Sequence, residues 1–152
     1  MNAKFESPVD TIGMNILREL ERNARSGFSE IGRRVGLSSP AVAERVYKME
    51  EAGIIRGYHA DINPGIFGRD IMAFITLTTR PEHYPKIYAF AEKQSEILEC
   101  HHISGNESLL LKVVSGSIPQ LNSLVEKLGR FGETKTSIVF SSPVQKKMTA
   151  SL

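Results

Sequence analysis

Residues 27–55 of the chain read GFSEIGRRVGLSSPAVAERVYKMEEAGII, with two short apolar-periodic segments on either side of a single Gly-Leu-Ser. Few folds accept that arrangement. Phe28, Ile31 and Val35 keep i, i+3, i+7 spacing and stop at Gly36, the residue type most tolerant of a left-handed helix end. Ser38 or Ser39 then caps a second segment, and Pro40 fits its first turn, where no amide hydrogen is needed. Val42, Val46 and Met49 line one side of that segment until Gly53. Upstream, Asp10 can cap a helix whose apolar positions Ile12, Ile16, Leu17, Leu20 and Ala24 alternate with Arg18, Glu19, Glu21 and Arg22. The pattern predicts three short helices between residues 10 and 52. The last two are joined tightly through Gly36, Leu37 and Ser38, and small Gly32 allows their close approach.

Beyond Gly53 the period changes. IIRGYHADI reads as an extended strand or wing, and NPGIFGRD, residues 63–70, as a turn-rich linker. Strands are expected at 71–79, 97–104, 108–115 and 134–141, with helices at 82–95 and 119–128. That βαββαβ order, with right-handed crossovers, favours a ferredoxin-like sandwich in which two helices cover one face of an antiparallel sheet. The expected fold class is therefore α+β: a winged helix-turn-helix over residues 1–60, a linker at 61–70 and a βαββαβ assembly or effector domain at 71–152. The other sheet face needs cover, and Ile75, Leu77 and Leu111 are expected on it. Two copies packed through those faces would satisfy each other, giving a homodimer or a larger even-numbered assembly. The end of the chain, QKKMTASL, is expected to be a loose tail.

Composition matters mainly for what it excludes. At 152 residues the chain can bury one core or two small ones, and its longest apolar runs fall far short of the roughly 20 residues a bilayer needs. The N-terminus lacks the pattern of a signal peptide, and Cys100 is the single cysteine, which fits a reducing compartment. A cytoplasmic protein without a membrane partner is expected. Net charge is only +2, and it splits evenly: nine Lys/Arg and nine Asp/Glu up to Asn63, then ten and eight. Any case for nucleic acid rests on where charge is placed.

Charge is concentrated around the two tightly joined helices. From Arg33 to Lys48 there are four basic residues, Arg33, Arg34, Arg45 and Lys48, against one acidic residue, Glu44. With Val42, Val46 and Met49 turned inward at about 100° per residue, Pro40, Ala41, Glu44, Tyr47 and Lys48 point outward and Arg45 lies at the flank. That face has the dimensions to enter a major groove. Ser38 and Ser39, with the free amides of a helix start, suit phosphate oxygens. Arg33 and Arg34 sit near the same edge. A three-helix scaffold with solvated arginines is the competing reading.

The CHH run at 100–102 raises the question of catalysis. Neighbouring strand residues point to opposite faces, so His101 and His102 do not chelate one metal, and only Cys100 and His102 share a face. No third group at recognisable spacing orients the histidine. His59 and His83 stand without motif spacing, and no Gly-rich phosphate loop is present. The reading is not an enzyme, with no catalytic residue, metal or cofactor.

The residues just described resemble the leucine-responsive/asparagine-regulator (Lrp/AsnC) family of prokaryotic transcription regulators, over about residues 10–143. The resemblance is carried by NAR at 23–25, VGLS at 35–38, Val42 with Arg45 and Val46, EEAGIIRGY at 50–58, Asn63-Pro64, and Gly68. It implies an N-terminal domain that binds double-stranded DNA, and a C-terminal domain that carries assembly contacts and often an amino-acid effector site. One departure is Gly13, where the family usually has an acidic residue. Another lies in the loop 105–108, Gly105, Asn106, Glu107 and Ser108. Effector-binding members typically place an aspartate where this chain has Ser108, and that carboxylate helps hold the ligand's ammonium. A serine supplies only a neutral acceptor, which leaves a desolvated ammonium without an anionic partner. The loop is therefore equally a plain hairpin turn, and a small amino-acid-like effector is expected to be absent or to lack that contact. The expected function is a sequence-specific DNA-binding transcription regulator. The alternatives are an architectural DNA-organising protein of low specificity, and a small-molecule-binding module without a DNA role.

Overall fold

The computed structural model describes residues 9–144. Two compact units emerge, one ending at Asp61 and one spanning Ile62–Pro143.

The first unit is helical: α1 (Thr11–Arg22), α2 (Phe28–Val35) and α3 (Ser39–Glu51). Asp10 caps α1 by accepting from the Gly13 amide at 2.7 Å. Gly36 ends α2 at φ 75°, ψ 34°, a left-handed residue that only glycine adopts without strain. Leu37 N–H then donates to Gly32 C=O at 2.9 Å, and Ser38 caps α3 through the Ala41 amide. Gly53, at φ 68°, closes α3, while the amides of Ile54 and Ile55 return to the Met49 carbonyl. The core of the unit is Ile16, Leu20, Ile31, Val42, Val46 and Met49.

Residues 54–62, expected as a strand or wing, form no strand. An extended segment needs a sheet edge to pair with, and the three-helix unit offers none. The segment is fastened by side chains instead: Ile54 and Ile55 pack on the helical core, and the Tyr58 hydroxyl donates to Glu50 at 2.8 Å.

After a 3-10 turn at Pro64–Phe67, the second unit runs β1 (Ile71–Thr78), a 3-10 turn (Pro81–His83), α4 (Tyr84–Lys93), β2 (Ile97–His102), β3 (Leu109–Ser115), α5 (Ile118–Gly129) and β4 (Glu133–Ile138). The sheet order is β2-β3-β1-β4, every neighbouring pair antiparallel. This is the expected ferredoxin-like sandwich. Element ends shift by a few residues. The turn at Pro81 delays α4 to Tyr84, and β2 and β4 stop at His102 and Ile138. The C-terminal QKKMTASL lies outside the described residues.

One expectation is overturned. Ile75, Leu77 and Leu111 are fully buried and belong to the core beneath the helices, with Ala73, Ile87, Leu109, Val113, Leu121, Leu124 and Leu128. The opposite parity lines the face away from the helices: Met72, Phe74 and Thr76 of β1, paired with Val114, Lys112 and Leu110 of β3, of which Val114 alone is buried. Phe74 is 38% exposed there. Both strands are apolar at successive positions, so alternation alone did not say which set the helices would cover. No helix among the described residues is long and apolar enough to cross a membrane.

Candidate nucleic-acid interface

The outward face of α3 carries Pro40, Glu44, Tyr47 and Lys48, all exposed, with Tyr47 at 59%. Ser38 is exposed and Ser39 half-buried at the start of the helix. Glu44 and Lys48 pair one turn apart at 2.6 Å, and the lysine holds the Glu44 carboxyl below the usual carboxylate range. With the acid N-terminal to the base, this is the favourable orientation of an i, i+4 pair. Both side chains are about two-thirds exposed, so bases or phosphates can compete for Lys48 at little cost.

The other basic residues separate in role. Arg45 lies at the flank of α3 and donates from Nη1 to Asp10 Oδ1 at 2.8 Å. That carboxyl lies below its ordinary range, chiefly because it accepts the Gly13 amide and also because Arg45 faces it. Arg33 is exposed on α2, and no ion pair among the described residues engages it. Arg34 turns back onto α1, bonding both Glu19 and Glu30 of its own helix. Arg45, Lys48, Glu44, Ala41 and Gly13 share a depression of about 360 Å³ between the start of α1 and α3. A Cβ at Gly13 would lie 2.9 Å from Val9 Cγ1 and 3.2 Å from Asp10 Oδ1, so this departure from the family pattern is also a tight fit. The Asp10 link to Arg45 was invisible to sequence spacing, since 35 positions separate the two.

In the second unit, loop 105–108 is engaged by its own strands. Gly105 sits at φ 120°. The Ser108 hydroxyl donates to Thr79 C=O at 2.9 Å and accepts from Thr79 N–H at 3.1 Å, so it latches the end of β1 to the start of β3. Glu107 pairs with Lys135 of β4 at 3.2 Å. Asn106 is exposed.

The CHH residues part as strand geometry requires. Cys100 packs against the core opposite Leu111, and burial pushes its thiol up, away from a reactive thiolate. His102 meets the Tyr84 ring at a tilt of 60°, with centroids 4.8 Å apart. His101, on the other face, meets Glu99 at 3.0 Å, and Glu99 also takes Lys112 at 2.9 Å. No group of three or more metal-ligating side chains is assembled among the described residues.

Two family models match the chain. Residues 9–50 match the AsnC-type helix-turn-helix domain, and residues 72–149 the Lrp/AsnC ligand binding domain. An HTH-type transcriptional regulator of Bacillus subtilis, YezC, is 37% identical, with 88% of this chain and 95% of YezC covered. The regulatory protein AsnC of Escherichia coli is 32% identical over 91% of this chain and 94% of its own length. Among solved structures, B. subtilis LrpC superposes with a TM-score of 0.85 at 28% identity, covering 91% of this chain and 99% of that one. The Neisseria meningitidis transcriptional regulator NMB0573, solved as a complex with L-Met, gives 0.85 at 25% identity, covering 92% and 95%.

Proposed function

Because the chain belongs to the Lrp/AsnC family of DNA-binding transcription regulators, and is not an enzyme, we propose that it reads DNA with the outward face of α3. The single observation that carries this reading is the exposed Glu44–Lys48 turn flanked by Arg45, above a helix start capped by Ser38. Lys48, Glu44 and Arg45 meet base edges, Ser38 and Ser39 meet phosphate, and Arg33 meets the backbone from α2. Arg34, held by two carboxylates, belongs to the packing of α1 on α2. Selection from a random duplex library tests the reading. A regulator prefers its selected site to random duplex by roughly 10³-fold or more, an architectural protein by far less, and a module without a DNA role shows no salt-dependent binding.

Assembly follows from the uncovered sheet face. Met72, Phe74 and Leu110 form its accessible apolar strip, and packing two copies through it removes that strip from water. The resulting dimer, alone or in larger even-numbered assemblies, presents two copies of α3 to a roughly palindromic site, with half-sites about one helical turn, or a multiple of it, apart.

The ligand domain of this chain takes no amino acid through the usual ammonium contact. Ser108 carries no charge and its hydroxyl is occupied by Thr79, while Glu107 is occupied by Lys135. The L-Met complex of the Neisseria regulator makes the amino acids the ligands to test first. Thermal unfolding with each common amino acid is the assay, since a ligand at 100 times its Kd adds about 2.7 kcal/mol. A saturable shift abolished by Gly105→Trp would overturn this part of the reading.

A further inference from the structure

We propose that Asp10, at the start of α1, is a positioning residue of the DNA interface that acts through Arg45. One carboxylate oxygen, Oδ1, takes both the Gly13 amide at 2.7 Å and Arg45 Nη1 at 2.8 Å. Capping alone does not call for aspartate, because serine, threonine or asparagine satisfies the same amide. The negative charge suits the positive end of α1, and Arg45 Nη1 gives it a second partner that a serine or threonine cap would not hold.

The consequence for Arg45 is geometric. A guanidinium is a rigid planar fork with five donors, and tying one nitrogen to α1 fixes the plane of the others. Arg45 lines the same depression as Ala41, Glu44 and Lys48 of the recognition face. Untied, the side chain would lose rotamer freedom on meeting DNA; tied, it has already lost it. Both partners keep substantial side-chain exposure, 38% for Arg45 and 53% for Asp10, so the pair orders a surface group and fills no core. Gly13 is part of the arrangement. A side chain there would press on Val9 and on Oδ1, whereas glycine leaves the oxygen to both donors.

The inference rests on the reading that Arg45 meets DNA, and the two separate experimentally. A carboxylate close to DNA repels phosphate, so deleting it for electrostatic reasons alone strengthens binding to every duplex. Deleting a positioning group instead lowers the preference for the right duplex. The full-length protein, Asp10→Ser, Arg45→Ala and the double variant are titrated with a duplex selected by the parent from a random library and with random-sequence duplex of equal length. Serine keeps the cap, so far-UV circular dichroism should match the parent. The selected-to-random affinity ratio should fall roughly three- to tenfold in Asp10→Ser, the loss expected from one long side chain left unordered, and by less than about twofold when the change is made on Arg45→Ala. An unchanged or higher ratio in Asp10→Ser overturns the proposal, as does an equal fall in both backgrounds, which would mean that Asp10 acts through the fold of α1. Arg45→Ala with the parent's ratio would remove the contact itself, and the proposal with it. If Asp10→Ser does not fold, Asp10→Thr keeps a capping hydroxyl without an acceptor that reaches Arg45, and the same ratios decide.

Discussion

Substituting Gly32 by alanine probes the closeness of α2 and α3. Gly32 is buried in α2, and a Cβ there would come well under 3.0 Å from the Leu37 carbonyl oxygen, 3.4 Å from Leu37 C and 3.5 Å from Ser38 C. All three atoms are backbone of the turn, so no side chain can swing aside. The turn must move, and its Leu37 N–H to Gly32 C=O bond moves with it. Overpacking of this kind costs about 1–3 kcal/mol, here at the upper end because the obstacle is main chain. Alanine returns about 0.8–1.0 kcal/mol of helix propensity over glycine. The net loss is then about 1–2 kcal/mol, which for a unit of this size lowers the melting midpoint by roughly 4–16 °C. Thermal melts of the full-length protein at 222 nm measure it. Gly129→Ala is the control, because that site has nothing within 4 Å and gains propensity only. A Gly32→Ala protein as stable as its parent would refute the argument that a glycine is needed for this approach.

The proposed dimer predicts a parent mass of at least twice the chain in light scattering at micromolar concentration, and Phe74→Asp, which places a charge on the uncovered sheet face, should reduce it to monomer; a monomeric parent, or a variant of unchanged mass, would contradict that interface. The Tyr58 phenol, pushed up to about 12 by burial and by the Glu50 carboxylate beside it, should give a late ionisation step at 295 nm. Since the folded state holds the proton more tightly, the contribution of this contact is present below pH 10 and fades as pH rises from about 10 to about 12. Glu50→Gln should bring that titration down, and an unmoved curve would deny the coupling. Ser108→Ala removes both bonds to Thr79, and should destabilise the second unit by about 1–2 kcal/mol in urea melts.

Much of the helical unit was legible because its signals are local. Gly36 answers to a left-handed backbone, Ser38 to an orphan amide, and both requirements are set within four residues. The βαββαβ order was legible for the same reason. What could not be read was decided at a distance. Whether Ile75 or Phe74 faces the helices depends on which side α4 and α5 cover, and both parities of β1 and β3 are apolar enough to serve. Segment 54–62 has a strand-like composition, but pairing needs an edge that the sequence of the segment cannot supply. At the candidate interface, helical spacing placed Lys48 and Glu44 outward. It could not show that Arg34 reaches back to Glu19 or that Arg45 reaches Asp10, because long side chains choose partners by tertiary proximity. Charge alone makes Ser108 a poor ammonium ligand, and that much is legible in the sequence, while its bonds to Thr79 appear only once β1 and β3 are side by side.

The central claim is that the outward face of α3 reads base sequence, and Lys48→Ala tests it most directly. The affinity of parent and variant is measured at one salt concentration for the parent's selected duplex and for random duplex. A lost base contact costs about 1–3 kcal/mol on the selected site, so the account predicts a fall of roughly 5- to 150-fold there, and a much smaller fall on random duplex, where only a charge is lost. Equal affinity of parent and variant for the selected duplex, or an equal fall on both, would contradict it.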